Sequence, residues 1–504
     1  MRNEYWPKVF SVVILCLAWI ICIDFGIFSI AADAQENYST NDVQKTMKVF
    51  KGKRTPIDLN NIPKEAYYSG KLRIKLKPEM EEVIPGQPMK AGEQGYVVTG
   101  YQPLDALNQT FSVSQYTPLF SGLYTTDSKC SEYKERHKAW GFHLWYELTV
   151  PADTDIKEAV TSFQELEAVD VAEPEYKKRL IQETSGSSRE GSAPASLNSP
   201  EPSWTPDDPL FDEQWHYHNT GQEGGTVGAD ISLPEAWEIE RGNADVIVAV
   251  IDGGIDYVHE DLAGNMWPDI GYNFVNDDET IIPGNHGTHV AGTVAALSNN
   301  AVGVAGVAGG SGSNDGVRLM SCQVFTNTSA GGFHLAPIYA ADNGAAISQN
   351  SWGYGSPGVF EQAALDAIDY FNANGGGEAL NGGITIFAAG NDNDDGEWYP
   401  GYYEGAFAIS STNNQDQKAY YSNYGTWIDI SAPGGETNAV TARGVLSTLP
   451  GNTYGFYQGT SMACPHASGV AALIASLGYG QLSADQVADV LRNTTDDIDD
   501  VNEG

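Results

Sequence analysis

The chain has 504 residues and a formal net charge of −39, a length that predicts two or three folded units. Residues 205–504 hold 39 acidic and 5 basic side chains, while residues 1–204 hold 27 and 22. That balance excludes a nucleic-acid partner, which needs clustered Lys and Arg, and suits solubility, cation association and a saline setting.

The first segment reads as an export signal. Arg2, Glu4 and Lys8 precede an apolar run over 9–23, and Ala32-Asp33-Ala34 offers a small-residue cleavage site, so residues 1–34 are predicted to be removed. The alternative is a retained membrane anchor. No later stretch is long and apolar enough to span a bilayer. Residues 71–77 alternate like a half-buried strand, and 145–150 reads as another. Over 155–166, Ile156, Ala159, Val160, Phe163 and Leu166 fall on one face of a helix, and 169–176 reads as a returning strand. Residues 183–204 are rich in Ser, Pro, Gly and Ala. They cannot bury a core and are expected to be an exposed, cleavable linker.

Beyond the linker, predicted strands at 246–251, 317–325, 346–350, 384–388, 407–410 and 427–431 alternate with predicted helices. The helices are at 286–297, 333–343, 359–374, 461–476 and 483–492. This is the pattern of an α/β unit whose parallel sheet is covered on both faces. The run 246–251 is apolar and β-branched throughout, as a doubly buried strand requires. It ends in Asp252, at the carboxyl end where such sheets place reactive groups.

Three further polar residues stand at strand-to-turn or turn-to-helix junctions: His286 in Asn285-His286-Gly287-Thr288-His289, Asn391 after Ala389-Gly390, and Ser461 in Gly459-Thr460-Ser461-Met462-Ala463. A serine hydroxyl is a poor nucleophile without a base to take its proton. Singly, each of these residues is more often a cap or a turn. His289 and His466 read as structural, and Cys464 as a small packed thiol. With Cys16 and Cys22 in the signal, the odd remainder of Cys130, Cys322 and Cys464 makes no disulfide framework. Cys322 with Cys464 is the one pairing open within the second unit. The second glycine of a Gly-x-Ser-x-Gly elbow is missing, which argues against an α/β-hydrolase esterase.

Taken together and in this order, Asp252, His286, Asn391 and Ser461 make the chain resemble the subtilisin-like serine proteases from about residue 205 to the end. The resemblance implies a three-layer α/β fold with a mostly parallel central sheet. It also implies a small α+β, ferredoxin-like inhibitory propeptide over 35–182, a processing site in the linker 183–204, and a peptidase unit over 205–504, where the family has one more short segment past 499–504. Processing would fall between about residues 180 and 204. Ser461 would attack the scissile carbonyl, His286 would take and return the proton, and Asp252 would orient the imidazole. Asn391 and the Ser461 N–H would hold the oxyanion, and Ser351, Trp352 and Gly353 would line the primary pocket, with Trp352 at its edge tolerating large apolar side chains. The family's structural calcium would lie on Asp208, Asp261, Asn300 and the carbonyls of Ser298, Val302 and Val304. No organic cofactor is implied.

The expected partners are protein or peptide substrates and the chain's own propeptide, and the expected location is secreted or cell-envelope. One departure stands out. The family places Ser or Thr after the aspartate, and here it is Gly253, which removes a side-chain donor and loosens or retunes the carboxylate. Two alternatives follow. A non-catalytic binding protein on this scaffold is motivated by Gly253 alone. A convertase cutting after paired basic residues is disfavoured, because Tyr354-Gly355-Ser356-Pro357-Gly358 carries no acidic residue.

Overall fold

The computed structural model describes residues 51–53, 57–84, 86–124, 133–181 and 204–498. The signal over 1–34, Cys130, residues 183–203 of the linker and the segment 499–504 lie outside the described residues. No described helix is long and apolar enough to cross a membrane.

In the N-terminal unit, β1 (Tyr67–Leu76) carries the predicted alternation, with Leu72, Ile74 and Leu76 in the core. It is not half-buried, however. Arg73 and Lys75, on its other face, are buried as well, because both meet carboxylates of the second unit. α1 (Gln102–Thr110) and β2 (Gln115–Pro118) follow, then α2 (Lys134–Ala139) and β3 (Trp145–Thr149). α3 (Ile156–Gln164) begins one residue later than its pattern predicts, since Asp155 is its cap and accepts from the N–H groups of Lys157 and Glu158. β4 (Val169–Tyr176) closes the unit. The sheet runs β2-β3-β1-β4, antiparallel throughout, with Met89–Lys90 added at the β2 edge. Two interleaved strand–helix–strand units in that order make a ferredoxin-like sheet.

The chain continues into β5 (Lys178–Leu180), which leaves this sheet and enters the second unit. There β6 (Ile247–Gly253), β7 (Met266–Asn273), α4 (Asn285–Ala295), β8 (Arg318–Phe325), α5 (Ala336–Asp342) and β9 (Ile347–Asn350) come first. They are followed by β10 (Trp352–Tyr354), α6 (Gln362–Asn374), β11 (Ile384–Ala388), β12 (Phe407–Thr412) and β13 (Ile430–Pro433). The hairpin β14 (Val445–Leu449) and β15 (Thr453–Tyr457) leads to α7 (Thr460–Leu477) and α8 (Ala484–Thr494). The seven-stranded sheet has the order β13-β12-β11-β9-β6-β8-β7, and every neighbouring pair is parallel.

Strand β6 shows why its sequence is apolar at every position from Ile247 to Ile251. Val248 and Val250 face the core shared with α4 and α7, while Ala249 and Ile251 face the opposite core. The second core is continuous with the interior of the N-terminal unit. Helix α5 starts at Ala336 with Pro337 in its first turn, three residues inside its predicted start. The last predicted strand shifts to Ile430–Pro433, because Trp427 turns to pack against Tyr402. Strand β7 and the β14–β15 hairpin carry signals the sequence reading passed over.

The two units meet through buried charge. Lys51 and Lys75 reach Asp366 at 2.8 and 2.9 Å, and Arg73 and Lys178 each reach Glu361 at 2.6 Å. Arg136 and His137 reach Asp342 at 2.8 and 2.7 Å. In the reverse sense, Glu173 of β4 caps α6, accepting from the N–H groups of Gln362 and Ala363. Burial, then the nearby Glu361 carboxylate, pushes Glu173 up to about 8.

A carboxyl whose proton affinity is raised by folding contributes stability that is full below its ordinary value of about 4.3. That contribution is lost as pH rises through about 8. Glu173→Gln, made in a Ser461→Ala chain, should therefore lose less thermal stability than its parent between pH 5 and pH 8. A difference between the two that stays constant over that range would refute the assignment.

Candidate active site

The sheet order turns at β6 and β9, whose carboxyl ends open a crevice between them. Asp252 closes β6, and Ser351 follows β9. Across the crevice, His286 sits in the first turn of α4 and Ser461 in the first turn of α7. Both helices are built largely of small residues, which lets them lie close to the sheet. Gly287 is the tightest point: a Cβ there would stand 2.1 Å from the Gly253 carbonyl oxygen.

The predicted residues come together. His286 Nδ1–H donates to Asp252, 2.8 Å from Oδ1 and 3.0 Å from Oδ2. Asp252 is fully buried, and the main-chain N–H of Gly253 donates to its Oδ1 at 2.6 Å. Asp252 thus keeps a main-chain donor at Gly253, but not the side-chain donor that Ser or Thr would add. His286 Nε2 is buried and has no hydrogen-bond partner among the described residues, which leaves it open as an acceptor.

Asn391 is aimed from the helix end. The Thr460 N–H and hydroxyl both donate to Asn391 Oδ1 at 2.9 Å, so the amide nitrogen faces the other way. It donates to the carbonyl oxygen of Ile181 at 3.5 Å, and Ser461 Oγ donates to the same oxygen. Gly459, at φ +140°, keeps this corner clear, since a Cβ there would crowd the Asn391 amide at 3.0 Å.

Ile181 is the end of an extended segment lying in the crevice. β5 pairs antiparallel with β10, Leu180 opposite Trp352, Arg179 opposite Gly353 and Lys178 opposite Tyr354. The Ile181 N–H donates to the Ser351 carbonyl at 3.1 Å. Residues 351–353 therefore bind by main chain, as strand addition does. The Trp352 ring does not edge a primary pocket. It is buried among Phe333, Tyr354 and Phe387, and its N–H donates to Asn350.

One residue escaped the sequence reading. Pro465 lies inside α7 and has no N–H for the Ser461 carbonyl four residues earlier. The Ser351 hydroxyl donates to that carbonyl at 3.0 Å, tying the first turn of α7 to the residue before β10. The remaining candidates behave as structural groups. His466 Nδ1–H donates to Met462 O at 2.7 Å and its Nε2 faces His216, while burial pushes it down to about 4. His289 stacks on Tyr457 between the Val445 and Gly455 carbonyls, pushed by burial down to about 3. Cys322 and Cys464 are buried free thiols, not a disulfide, and burial pushes Cys464 up to about 12.

The predicted calcium ligands also converge. Asn300 Nδ2 donates to Asp261 Oδ1 at 2.8 Å, the Val304 N–H to Asp261 Oδ2 at 2.9 Å, and the Asn299 N–H to Asp208 Oδ2 at 2.6 Å. The second Asp208 oxygen is buried without a partner among the described residues. Burial first, then the Asp208 charge, pushes Asp261 up to about 7; burial pushes Asp208 up to about 6. No group of three or more His, Cys, Asp or Glu side chains that could hold a metal ion occurs among the described residues, so a cation here would need amide and carbonyl oxygens as well.

The family described as the subtilase family matches residues 243–503. A thermophilic serine proteinase of Bacillus strain AK1 is 35% identical over 295 residues, 57% of this chain and 66% of that protein. Thermitase of Thermoactinomyces vulgaris is 35% identical over 301 residues, 58% of this chain and 93% of thermitase. Several further relatives are named extracellular proteases. Among solved structures, fervidolysin of Fervidobacterium pennivorans shares the fold with a TM-score of 0.53 at 22% identity. That likeness covers 82% of this chain and 55% of fervidolysin.

The two glycines that meet beneath the site should differ sharply on substitution. A Cβ at Gly253 finds its nearest neighbour at 3.7 Å, whereas one at Gly287 would overlap backbone. In a Ser461→Ala chain, Gly253→Ser should be nearly neutral in denaturant unfolding. Gly287→Ala should cost about 1–3 kcal/mol through overpacking. Equal losses would overturn this reading.

Proposed function

Because the chain belongs to the subtilase family of subtilisin-like serine endopeptidases, we propose that it is an exported peptidase that cuts its own precursor after Ile181 through Asp252, His286 and Ser461. The supporting observation is the Ile181 carbonyl, which accepts from Ser461 Oγ and Asn391 Nδ2 while the Ile181 N–H pairs with Ser351. A substrate carbonyl must occupy this position.

In the reaction, the Ser461 hydroxyl turns its proton from the Ile181 carbonyl to His286 Nε2, and Oγ attacks the carbonyl carbon. The charge developing on the carbonyl oxygen is met by the Asn391 amide and by the Ser461 N–H, one of the unpaired donors of the α7 N-terminus. Asp252 holds Nδ1–H, so that Nε2 is the basic nitrogen and the resulting imidazolium is stabilised. His286 then protonates the departing amine as the C–N bond breaks. Water, deprotonated by the same nitrogen, releases the acyl group from Ser461. Gly253 alone motivates a non-catalytic role, and the hydrogen bonds from His286 to Asp252 support the catalytic reading despite it.

The N-terminal unit serves on this reading as an intramolecular inhibitor, with residues 1–34 as the export signal. The apolar run over 9–23 and the relatives named extracellular support that location. A structural calcium ion fits Asp208, whose free oxygen lacks a donor, together with Asp261, Asn300 and the carbonyls of Ser298, Val302 and Val304. It would neutralise two buried carboxylates and fasten the 298–304 loop to the start of the unit.

Two experiments test these assignments. Purified wild-type chain should yield a product whose first residue is Gln182 and in which a fluorophosphonate labels Ser461, whereas the Ser461→Ala chain should stay intact. Maturation of that variant on its own, or a different first residue, would refute the processing step. Chelation should lower the melting temperature, because an ion bound only by the folded state stabilises it. An unchanged melting temperature would exclude the calcium site.

A further inference from the structure

The segment in the crevice reaches further into the second unit than its main-chain ladder. Counting back from the Ile181 carbonyl, Lys178 is the fourth residue. Its side chain is buried, with Nζ 2.6 Å from Glu361 Oε1. The ammonium lies over the Phe333 ring at 4.9 Å and the Tyr354 ring at 5.2 Å. Glu361, Phe333 and Tyr354 all belong to the second unit and stay behind when the segment leaves.

Glu361 has been brought to this place by the fold. It follows β10 by seven residues, and its own N–H donates to the Tyr354 hydroxyl at 3.0 Å, which turns its side chain toward the end of the crevice. The carboxylate is fully buried. Its other partners are Arg73 Nη1 at 2.6 Å and the Tyr176 N–H at 2.8 Å. Its ion-pair partners among the described residues, Arg73 and Lys178, thus both come from the N-terminal unit. Once that unit departs, Glu361 faces the crevice with no cation of its own.

A carboxylate and two aromatic faces that converge on one ammonium group attract a cation and penalise a neutral or acidic occupant. We propose that Glu361 makes the fourth subsite upstream of the scissile bond selective for a substrate lysine or arginine, seated between Phe333 and Tyr354. The inference rests on the peptidase reading above and adds a substrate class to it. Arg179, one residue nearer the bond, pairs with Asp392 at the rim and is about half exposed. Screening there leaves it little weight.

The test uses the full-length chain allowed to mature, assayed on fluorogenic peptides X-Arg-Leu-Ile, where X is lysine, arginine, norleucine or glutamate. Lysine and arginine should exceed norleucine in kcat/KM by roughly tenfold, the scale of one charge-assisted hydrogen bond, with glutamate the poorest. In enzyme matured from a Glu361→Gln chain, the lysine-to-norleucine ratio should fall toward one. If the parent enzyme cleaves the norleucine peptide as well as the lysine peptide, the inference is overturned and the peptidase reading stands. If it cleaves none of the four, the peptidase reading itself falls, and the subsite with it.

Discussion

A carboxylate taken out of water must be given a cation or a set of donors, or it will not stay charged there. Asp342, Glu361 and Asp366 are buried on or beside α5 and α6, and the cations that hold them come from residues 51–178. Asp369 is held by the Tyr403 hydroxyl and the Gly52 N–H. The arrangement of the whole chain depends on this constraint. It accounts for the burial of both faces of β1 and for the way β4 delivers β5 into the crevice. An excess of 34 negative charges over 205–504 looks like a surface property, yet its most consequential members are interior.

Much of the fold was legible because the strands of the parallel sheet are buried on both faces, so that β6 is apolar from Ile247 to Ile251 and β11 is apolar at all but Thr385. The four residues of the site were legible because each lies at or just past a strand end, or in the first turn of a helix, with a glycine one or two residues away. What escaped was set by contacts distant in sequence. Nothing near Glu361 announces that it will face Lys178, because the pairing requires β5 to lie along β10. Nor does the sequence around Gly253 reveal that its own N–H supplies the donor, since that depends on how the chain turns at the end of β6. The role of Trp352 was misread for the same reason. An aromatic side chain beside a peptide-binding strand can face either the ligand or the core, and only Phe333, Tyr354 and Phe387 decide which.

The site itself is assembled from complementary defects. Pro465 leaves the Ser461 carbonyl unpaired, and Ser351 fills the gap; Thr460 occupies the oxygen of the Asn391 amide, and so exposes the nitrogen. Each side chain is aimed by a group that would otherwise lack a partner. Such coupling is why the serine, the asparagine and the peptide-binding strand hold one geometry across three separate elements.

One consequence follows from the strand in the crevice. Breaking the chain after Ile181 removes none of the contacts described between the two units: the ladder, the Glu361 and Asp366 ion pairs and the cap from Glu173 all lie upstream of the break. Only connectivity changes. Before such a cut, the N-terminal unit is present at the high effective concentration of a tether; afterwards its occupancy would depend on how much of it is dissolved nearby. Cleavage and release are then separate events. Under the proposed function, dilution after export into a large volume would be the signal that sets the enzyme free.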